Sequence, residues 1–145
     1  MCSVTDLNEQ DRELLSLARA ARQLAYAPYS HYKVGAALRT RSGRMFSGCN
    51  VENAVYPLCT CAERTAVVKA VSEGECGIEA IAVVTQNGGP PCGSCRQVLH
   101  EFNPHVRVLL SDAEGHVREL SLADLLPDAF GPNHLPVGKD PKGLP

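Results

Sequence analysis

Two short cysteine motifs constrain this chain more than any other feature. Cys61-Ala62-Glu63 is followed, 28 residues after Glu63, by Pro91-Cys92-Gly93-Ser94-Cys95. Each motif stands where the residue pattern predicts the start of a helix, so the two helix starts would have to meet for the thiols to act together. Three thiolates can hold a zinc ion and leave its fourth position open to water. Glu63, two residues beyond Cys61, could then move the protons of that water.

Other interpretations of these cysteines are open. Cys92 and Cys95 alone could be a redox dithiol or a buried pair. Cys59 could complete a closed four-cysteine zinc site that is structural and inert. Two observations weigh against the closed site: the C-x-C spacing of Cys59 and Cys61 is shorter than the usual gap in structural sites, and the site would leave Glu63 without a role.

A zinc ion held by three thiolates carries a formal charge of about -1, which makes it a weaker activator of water than one held by neutral histidines. The positive ends of the two helices offset part of that charge. Arg64 and Arg96 each follow a motif residue and could donate hydrogen bonds to the sulfurs as an outer layer of the site. Arg96 could equally be an ordinary surface cation.

Composition narrows the class of protein. The chain has 145 residues, a net charge of -2 and a pI of about 6.2, and no cluster of Lys and Arg. We therefore expect no nucleic-acid partner. Residues 1–11 lack an apolar run, and no stretch is long enough to span a bilayer, so we expect no membrane partner and a cytoplasmic location. Seven cysteines without a secretory signal favour metal binding or catalysis over disulfides.

The pattern of apolar residues predicts an α/β domain with a mixed sheet. A single domain over residues 1–145 is expected, with flexible tails at about 1–6 and 132–145. The predicted helices and strands, in chain order, are helix 7–25, strands 33–40 and 45–49, helix 62–73, strand 78–85, helix 93–102, strands 106–110 and 116–121, and helix 122–126.

Several ordered motifs resemble one family, the zinc-dependent cytidine deaminases. The Cys-Ala-Glu and Pro-Cys-x-x-Cys pair matches their zinc signature, with Cys61 in place of a histidine. Further matching segments are 27–32, 34–38, 48–54, 61–66, 91–98 and 125–127. The resemblance implies a three-layer domain, with a five-stranded mixed sheet between helices on both faces, and a homotetramer.

The resemblance also implies a reaction. One zinc per chain would be held by Cys61, Cys92 and Cys95, and zinc-activated water would attack C4 of cytosine with Glu63 as proton shuttle. Cytidine and 2'-deoxycytidine would become uridine and 2'-deoxyuridine with release of ammonia, in pyrimidine salvage.

Substrate contacts follow from the same resemblance. Asn50 and Glu52 would bind the ribose, chemistry that an amide and a carboxylate can supply. Ala62 would read the pyrimidine edge. Ala54 and Tyr56 stand where a neighbouring subunit completes the pocket, and Phe130 resembles an aromatic that packs on the base across an interface. Tyr32 stands where the family commonly has Phe, and the loop 86–90 is short for the family.

Two alternative functions are open at this stage. One is a deaminase of the same fold that acts on polynucleotides or nucleoside analogues, although the acidic pI disfavours polynucleotides. The other is a zinc-stabilised interaction module without catalysis, in which Cys59 would be the fourth ligand.

Overall fold

The computed structural model describes residues 7–135. Their helices and strands, in chain order, are α1 Glu9–Gln23, β1 Gly35–Thr40, β2 Met45–Cys49, a 3₁₀ turn Tyr56–Leu58, α2 Ala62–Ser72, β3 Ile78–Val84, α3 Gly93–Phe102, β4 Arg107–Ser111, β5 Val117–Ser121, α4 Leu122–Leu125 and a 3₁₀ turn Pro132–His134. The predicted order of helices and strands is confirmed. The residues assigned to the two tails lie outside the described part of the chain, except 132–135.

The five strands form one sheet in the order β2-β1-β3-β4-β5. Only β3 and β4 run parallel among the described strands; the other neighbouring pairs are antiparallel. α3 is the crossover between the parallel strands, as such a connection requires. The prediction of a mixed five-stranded sheet is confirmed.

Alternating residues of the central strands pack into two hydrophobic cores, one on each face of this sheet. On one face, Leu38, Ile81 and Leu110 pack with residues of α2, α3 and α4. On the other, Ala80 and Leu109 pack against α1. Burial on both faces explains why β3 reads as a continuous apolar run. The predicted three layers are therefore present.

Several predicted boundaries shift by a few residues. α1 begins after Asn8, whose side chain caps the helix by accepting a hydrogen bond from the Asp11 amide at 2.8 Å. It ends at Gln23, before the predicted Ala25. β1 begins at Gly35 instead of Lys33 because the amide of Val34 donates to the Asn50 side chain rather than to a strand.

Gly48 of β2 explains how closely α2 lies on the sheet. A Cβ atom at Gly48 would come within 2.7 Å of the Ala66 nitrogen and 2.8 Å of the Ala62 oxygen. Only glycine allows that approach, which holds the first turn of α2 against the strand. Within residues 7–135, no helix is both long and apolar enough to cross a membrane.

Candidate active site

The three predicted zinc ligands meet at the starts of α2 and α3. Cys61 and Cys92 are the N-cap residues of the two helices, and Cys95 lies in the first turn of α3. Their sulfurs all lie within 4.8 Å of one another, and those of Cys61 and Cys92 are 3.9 Å apart. Two sulfurs bound to one tetrahedral zinc at ~2.3 Å would lie roughly 3.8 Å apart, so the donor set fits this metal.

Cys59 does not belong to this group of sulfurs. Its Sγ instead accepts a hydrogen bond from the Asn53 amide at 3.3 Å and contacts the Asn53 carbonyl. Among residues 7–135, the thiol cluster around α2 and α3 contains three cysteines. This arrangement leaves a tetrahedral zinc one open position and disfavours the closed four-cysteine alternative.

Hydrogen bonding within the cluster prepares Cys61 to bind a metal. A hydrogen bond from Cys95 lowers the pKa of Cys61 to about 5, against the opposing effect of burial and with help from Arg64 and Cys92. The same bond to Cys61, together with burial, raises the pKa of Cys95. Cys61 is therefore a thiolate at neutral pH, the form that binds zinc.

Glu63 is a buried carboxyl group beside this cluster. It lies in the first turn of α2 and is only 4 % exposed. Burial raises its pKa, although a hydrogen bond to its own backbone amide opposes the shift. A carboxyl group whose pKa is moved toward neutrality can both take up and release protons, which is what general acid–base catalysis requires.

Arg64 and Arg96 have different surroundings. Arg64 Nη2 donates to Cys61 Sγ at 3.6 Å and to the Cys59 carbonyl at 3.2 Å. The hydrogen bond to the Cys61 sulfur raises the pKa of Arg64, which keeps its positive charge beside the thiolates. Arg96 instead donates to the carbonyls of Pro91 and Leu125, both at 2.8 Å. Of the two arginines, Arg64 therefore contacts the sulfur cluster.

A cavity of about 290 Å³ opens beside the cluster, large enough for a small molecule. Cys61, Cys92 and Glu63 line it. So do four residues that the sequence singled out for substrate binding, namely Tyr32, Asn50, Glu52 and Ala62.

Asn50 and Glu52 also hold the loop that follows α1. Asn50 Oδ1 accepts from the Val34 amide at 2.8 Å, and its Nδ2 donates to the Tyr32 carbonyl at 2.9 Å. Glu52 Oε1 accepts from the amide of Ser30 at 3.0 Å and from its hydroxyl at 3.1 Å. Any contact with a ligand would therefore come from side chains that are already held in place.

Three predicted substrate-contacting residues do not line the cavity. Ala54, Tyr56 and Phe130 are exposed, the last two by 69 % and 58 %. Tyr56 meets Tyr29 edge to face, with ring centroids 5.8 Å apart, and Phe130 stacks on His134 at 5.3 Å. A role at the pocket would require these residues to come from a neighbouring chain.

Sequence reasoning missed two residues beside this cavity. Thr85 lines it, and Asn87 holds the hydroxyl of Tyr32 at 2.7 Å. Both belong to the connection between β3 and α3. The sequence predicted Thr85 as the last residue of the strand 78–85 and Asn87 as part of the loop 86–90. No sequence signal identified them, because their contacts reach residues far away in the chain.

Comparisons with known proteins agree with this site. Residues 8–111 match the family model described as "Cytidine and deoxycytidylate deaminase zinc-binding region". A cytidine deaminase of Sporosarcina psychrophila is 46% identical over 126 residues, covering 85% of this chain and 93% of the relative. A probable cytidine deaminase of Dictyostelium discoideum is 39% identical and covers 89% and 90% of the two chains.

Solved structures give the same result. The crystal structure of cytidine deaminase from Burkholderia pseudomallei has a TM-score of 0.79 and 52% identity, covering 86% of this chain and 100% of that one. The cytidine deaminase of Mycobacterium tuberculosis has a TM-score of 0.73 and 42% identity, with 86% and 99% coverage. The chain therefore belongs to the cytidine and deoxycytidylate deaminase family of zinc-binding proteins.

Proposed function

We propose that this protein deaminates cytidine and 2'-deoxycytidine by hydrolysis, with one zinc ion per chain. The observation that carries the proposal is a cluster of three thiols with a buried carboxyl group beside it, that of Glu63, which lines the same cavity as Cys61 and Cys92. Cys61, Cys92 and Cys95 would hold the zinc, which when bound polarises water at its open position.

The chain's own residues supply the rest of the reaction. A Glu63 carboxylate oxygen takes one proton from the attacking water and gives it to N3 of the pyrimidine ring. Glu63 then carries the second proton, from the new hydroxyl on C4, to the leaving amino group. A C4–O bond forms, the C4–N bond breaks, and ammonia leaves. Burial of Glu63 supports this role, because a raised pKa makes its carboxylate a stronger base and keeps more of the protonated form available near neutral pH.

The side chains around the cavity suggest how a nucleoside would be held. We assign Asn50 and Glu52 to the sugar hydroxyls, and the first turn of α2 at Ala62 to the pyrimidine edge. Neither Asn50 nor Glu52 would need to be ordered on binding, since backbone groups already hold both. Prearranged polar groups lower the entropic cost of binding.

We further propose a homotetramer in which neighbouring chains complete each pocket. Tyr56 and Phe130 are large, exposed and outside the cavity of their own chain, and Leu24 is 79 % exposed. Exposed apolar side chains of this size are typical of protein–protein contacts. Light scattering would give four times the 15.5 kDa chain mass.

The proposed setting is pyrimidine salvage in the cytosol. The six cysteines that the structure describes are free thiols, which suits a reducing compartment. The direct test of the function measures ammonia released by the zinc-loaded protein from cytidine, deoxycytidine, deoxycytidylate and single-stranded DNA. We expect turnover of the two nucleosides only. Release from deoxycytidylate or DNA, without release from cytidine, would overturn the proposal.

A further inference from the structure

Two loops meet at one edge of the cavity. Tyr32 lies in the loop after α1, and Gly89 lies in the loop between β3 and α3; both line the cavity. The hydroxyl of Tyr32 donates to Asn87 Oδ1 at 2.7 Å and so joins two segments that are 55 residues apart. We call this hydrogen bond, which is not covalent, the Tyr32–Asn87 crosslink.

The crosslink extends into the backbone of the second loop. The Gly89 amide donates to Thr85 Oγ1 at 2.8 Å, and the Thr85 hydroxyl donates to Asn87 Oδ1 at 3.3 Å. Thr85 is only 3 % exposed, so its hydroxyl depends on these partners. The Asn87 oxygen is thus the shared acceptor that connects Tyr32 with the turn at Gly89.

The loop leads directly to a zinc-binding thiol. Pro90 and Pro91, whose backbone φ angles are fixed by their rings, separate Gly89 from Cys92. The far end of the segment is held by Arg96, which donates to the Pro91 carbonyl. Because the two proline rings stiffen the intervening backbone, a shift at Gly89 that overcomes the Arg96 contact would be passed on to Cys92.

We propose that the Tyr32 hydroxyl is a positioning group for the metal site: through Asn87 it holds the 86–90 loop, and through that loop the thiolate of Cys92. This inference rests on the zinc site of the proposed function but not on its substrate. Tyr32 would act at a distance from the metal, in addition to any contact that its ring makes with a nucleoside.

The experiment measures the rate at which the zinc-loaded protein releases zinc to a coloured chelator. Tyr32→Phe and Asn87→Ala should each speed release by about 3- to 10-fold, less than the 10- to 100-fold typical of groups that bond directly to a ligand. The double variant should release zinc no faster than the faster single variant, because one crosslink is lost in all three.

Gly89 offers an independent variant. A Cβ atom there would lie 2.9 Å from the Tyr32 hydroxyl, closer than such atoms pack, but 3.4 Å from Asn87 Oδ1. Gly89→Ala should therefore speed zinc release in the wild-type background and add little in Tyr32→Phe, where the hydroxyl is gone. Asn87→Asp keeps the acceptor and should restore release to within about 2-fold of the wild type.

A matched control and a kinetic readout separate positioning from loss of fold. Tyr26→Phe removes a hydroxyl from a tyrosine that is 57 % exposed and outside the cavity, and should leave release unchanged. If Tyr32→Phe lowers the melting temperature, Asn87→Asp and Gly89→Ala still test the crosslink. At saturating zinc, kcat for cytidine should fall in Tyr32→Phe while KM changes less, because the variant keeps the aromatic ring and loses only the hydroxyl that positions the metal site.

Wild-type release rates in Tyr32→Phe and Asn87→Ala, or effects that add in the double variant, would overturn the inference. This failure is distinguishable from failure of the proposed function. Zinc release needs no substrate, so a zinc-loaded protein that leaves cytidine unchanged refutes the function and not the crosslink.

Discussion

Arg64 Nη2 lies 3.6 Å from the sulfur of Cys61, and the same nitrogen donates to the Cys59 carbonyl at 3.2 Å. The guanidinium group thus connects the Cys61 thiolate to the loop that precedes α2. It also supplies positive charge to a site whose three thiolates would leave bound zinc with a formal charge of about -1. We infer that Arg64 makes an all-cysteine site electrophilic enough to activate water.

Replacing Arg64 should therefore lower both the affinity for zinc and the rate of the reaction. We expect Arg64→Gln to lower zinc affinity by about 10-fold and kcat by about 10- to 100-fold, as for other groups that bond to metal ligands. Chelator competition and steady-state rates measure the two effects. Arg44→Gln removes a half-exposed arginine that pairs with Glu73, and should change neither. Normal kcat in Arg64→Gln would show that the charge is not needed.

Removal of zinc should destabilise the fold, because the metal joins the starts of α2 and α3. At free zinc about 1,000-fold above the Kd, binding contributes about 4 kcal/mol to the free energy of unfolding. Chelation should lower the melting temperature, and added zinc should restore it. Unchanged melting after complete zinc loss would mean that the helices hold their places without the metal.

Gly48→Ala should push α2 away from β2. Its Cβ would clash with backbone atoms of Ala62 and Ala66, which cannot rotate aside. We expect a loss of about 1–3 kcal/mol in the free energy of unfolding, as for other overpacked sites, and a lower kcat because Glu63 moves with the helix. Urea unfolding and initial rates test both effects. Ser47→Ala, on the opposite face of β2, should be close to neutral; equal losses in the two variants would refute the packing argument.

The ion pairs of the buried Asp11 make the free energy of unfolding depend on pH. It is 2 % exposed and pairs with Arg107 at 2.8 Å and with Arg39 at 3.4 Å. Burial alone would raise the pKa of Asp11, but the two arginines outweigh burial and lower it. The ion pair therefore stabilises the fold fully above the unfolded-state pKa near 3.8, and that contribution is lost as pH falls through the lower folded-state pKa.

Asp11→Asn should cost about 3 kcal/mol at pH 7, because it leaves the buried Arg39 with only the more distant carboxylate of Glu79, 3.9 Å away. The difference in free energy of unfolding between wild type and variant should shrink below about pH 4. Urea unfolding from pH 7 to pH 3 measures it. A difference that stays constant with pH would show that the charge of Asp11 does not stabilise the fold.

The sequence predicted the elements that carry chemistry better than the contacts between them. The helix starting at Ala62 and the whole of α3 were anticipated from local signals, namely helical periodicity and the breakers around them. The 3₁₀ turn Pro132–His134 falls in the predicted flexible tail, because a short proline-led turn has no periodicity to detect.

Polar contacts between residues far apart in the chain could not be predicted from the sequence. From the sequence, Arg96 could equally contact the sulfurs or lie at the surface; in the structure it donates to the backbone carbonyls of Pro91 and Leu125. The Tyr32 hydroxyl and Asn87 stand in separate loops, and neither residue type at its position predicts the other. Such pairs depend on how the layers pack, which local propensity does not encode.

The central claim is that Glu63 moves protons for a zinc site built by Cys61, Cys92 and Cys95. The most direct measurement is the turnover of cytidine by zinc-loaded Glu63→Gln, with metal content determined on the same sample. We predict about one zinc per chain, a wild-type melting profile and a kcat lowered by about 10²- to 10⁴-fold. Near-normal deamination by a variant that keeps its zinc would contradict the claim.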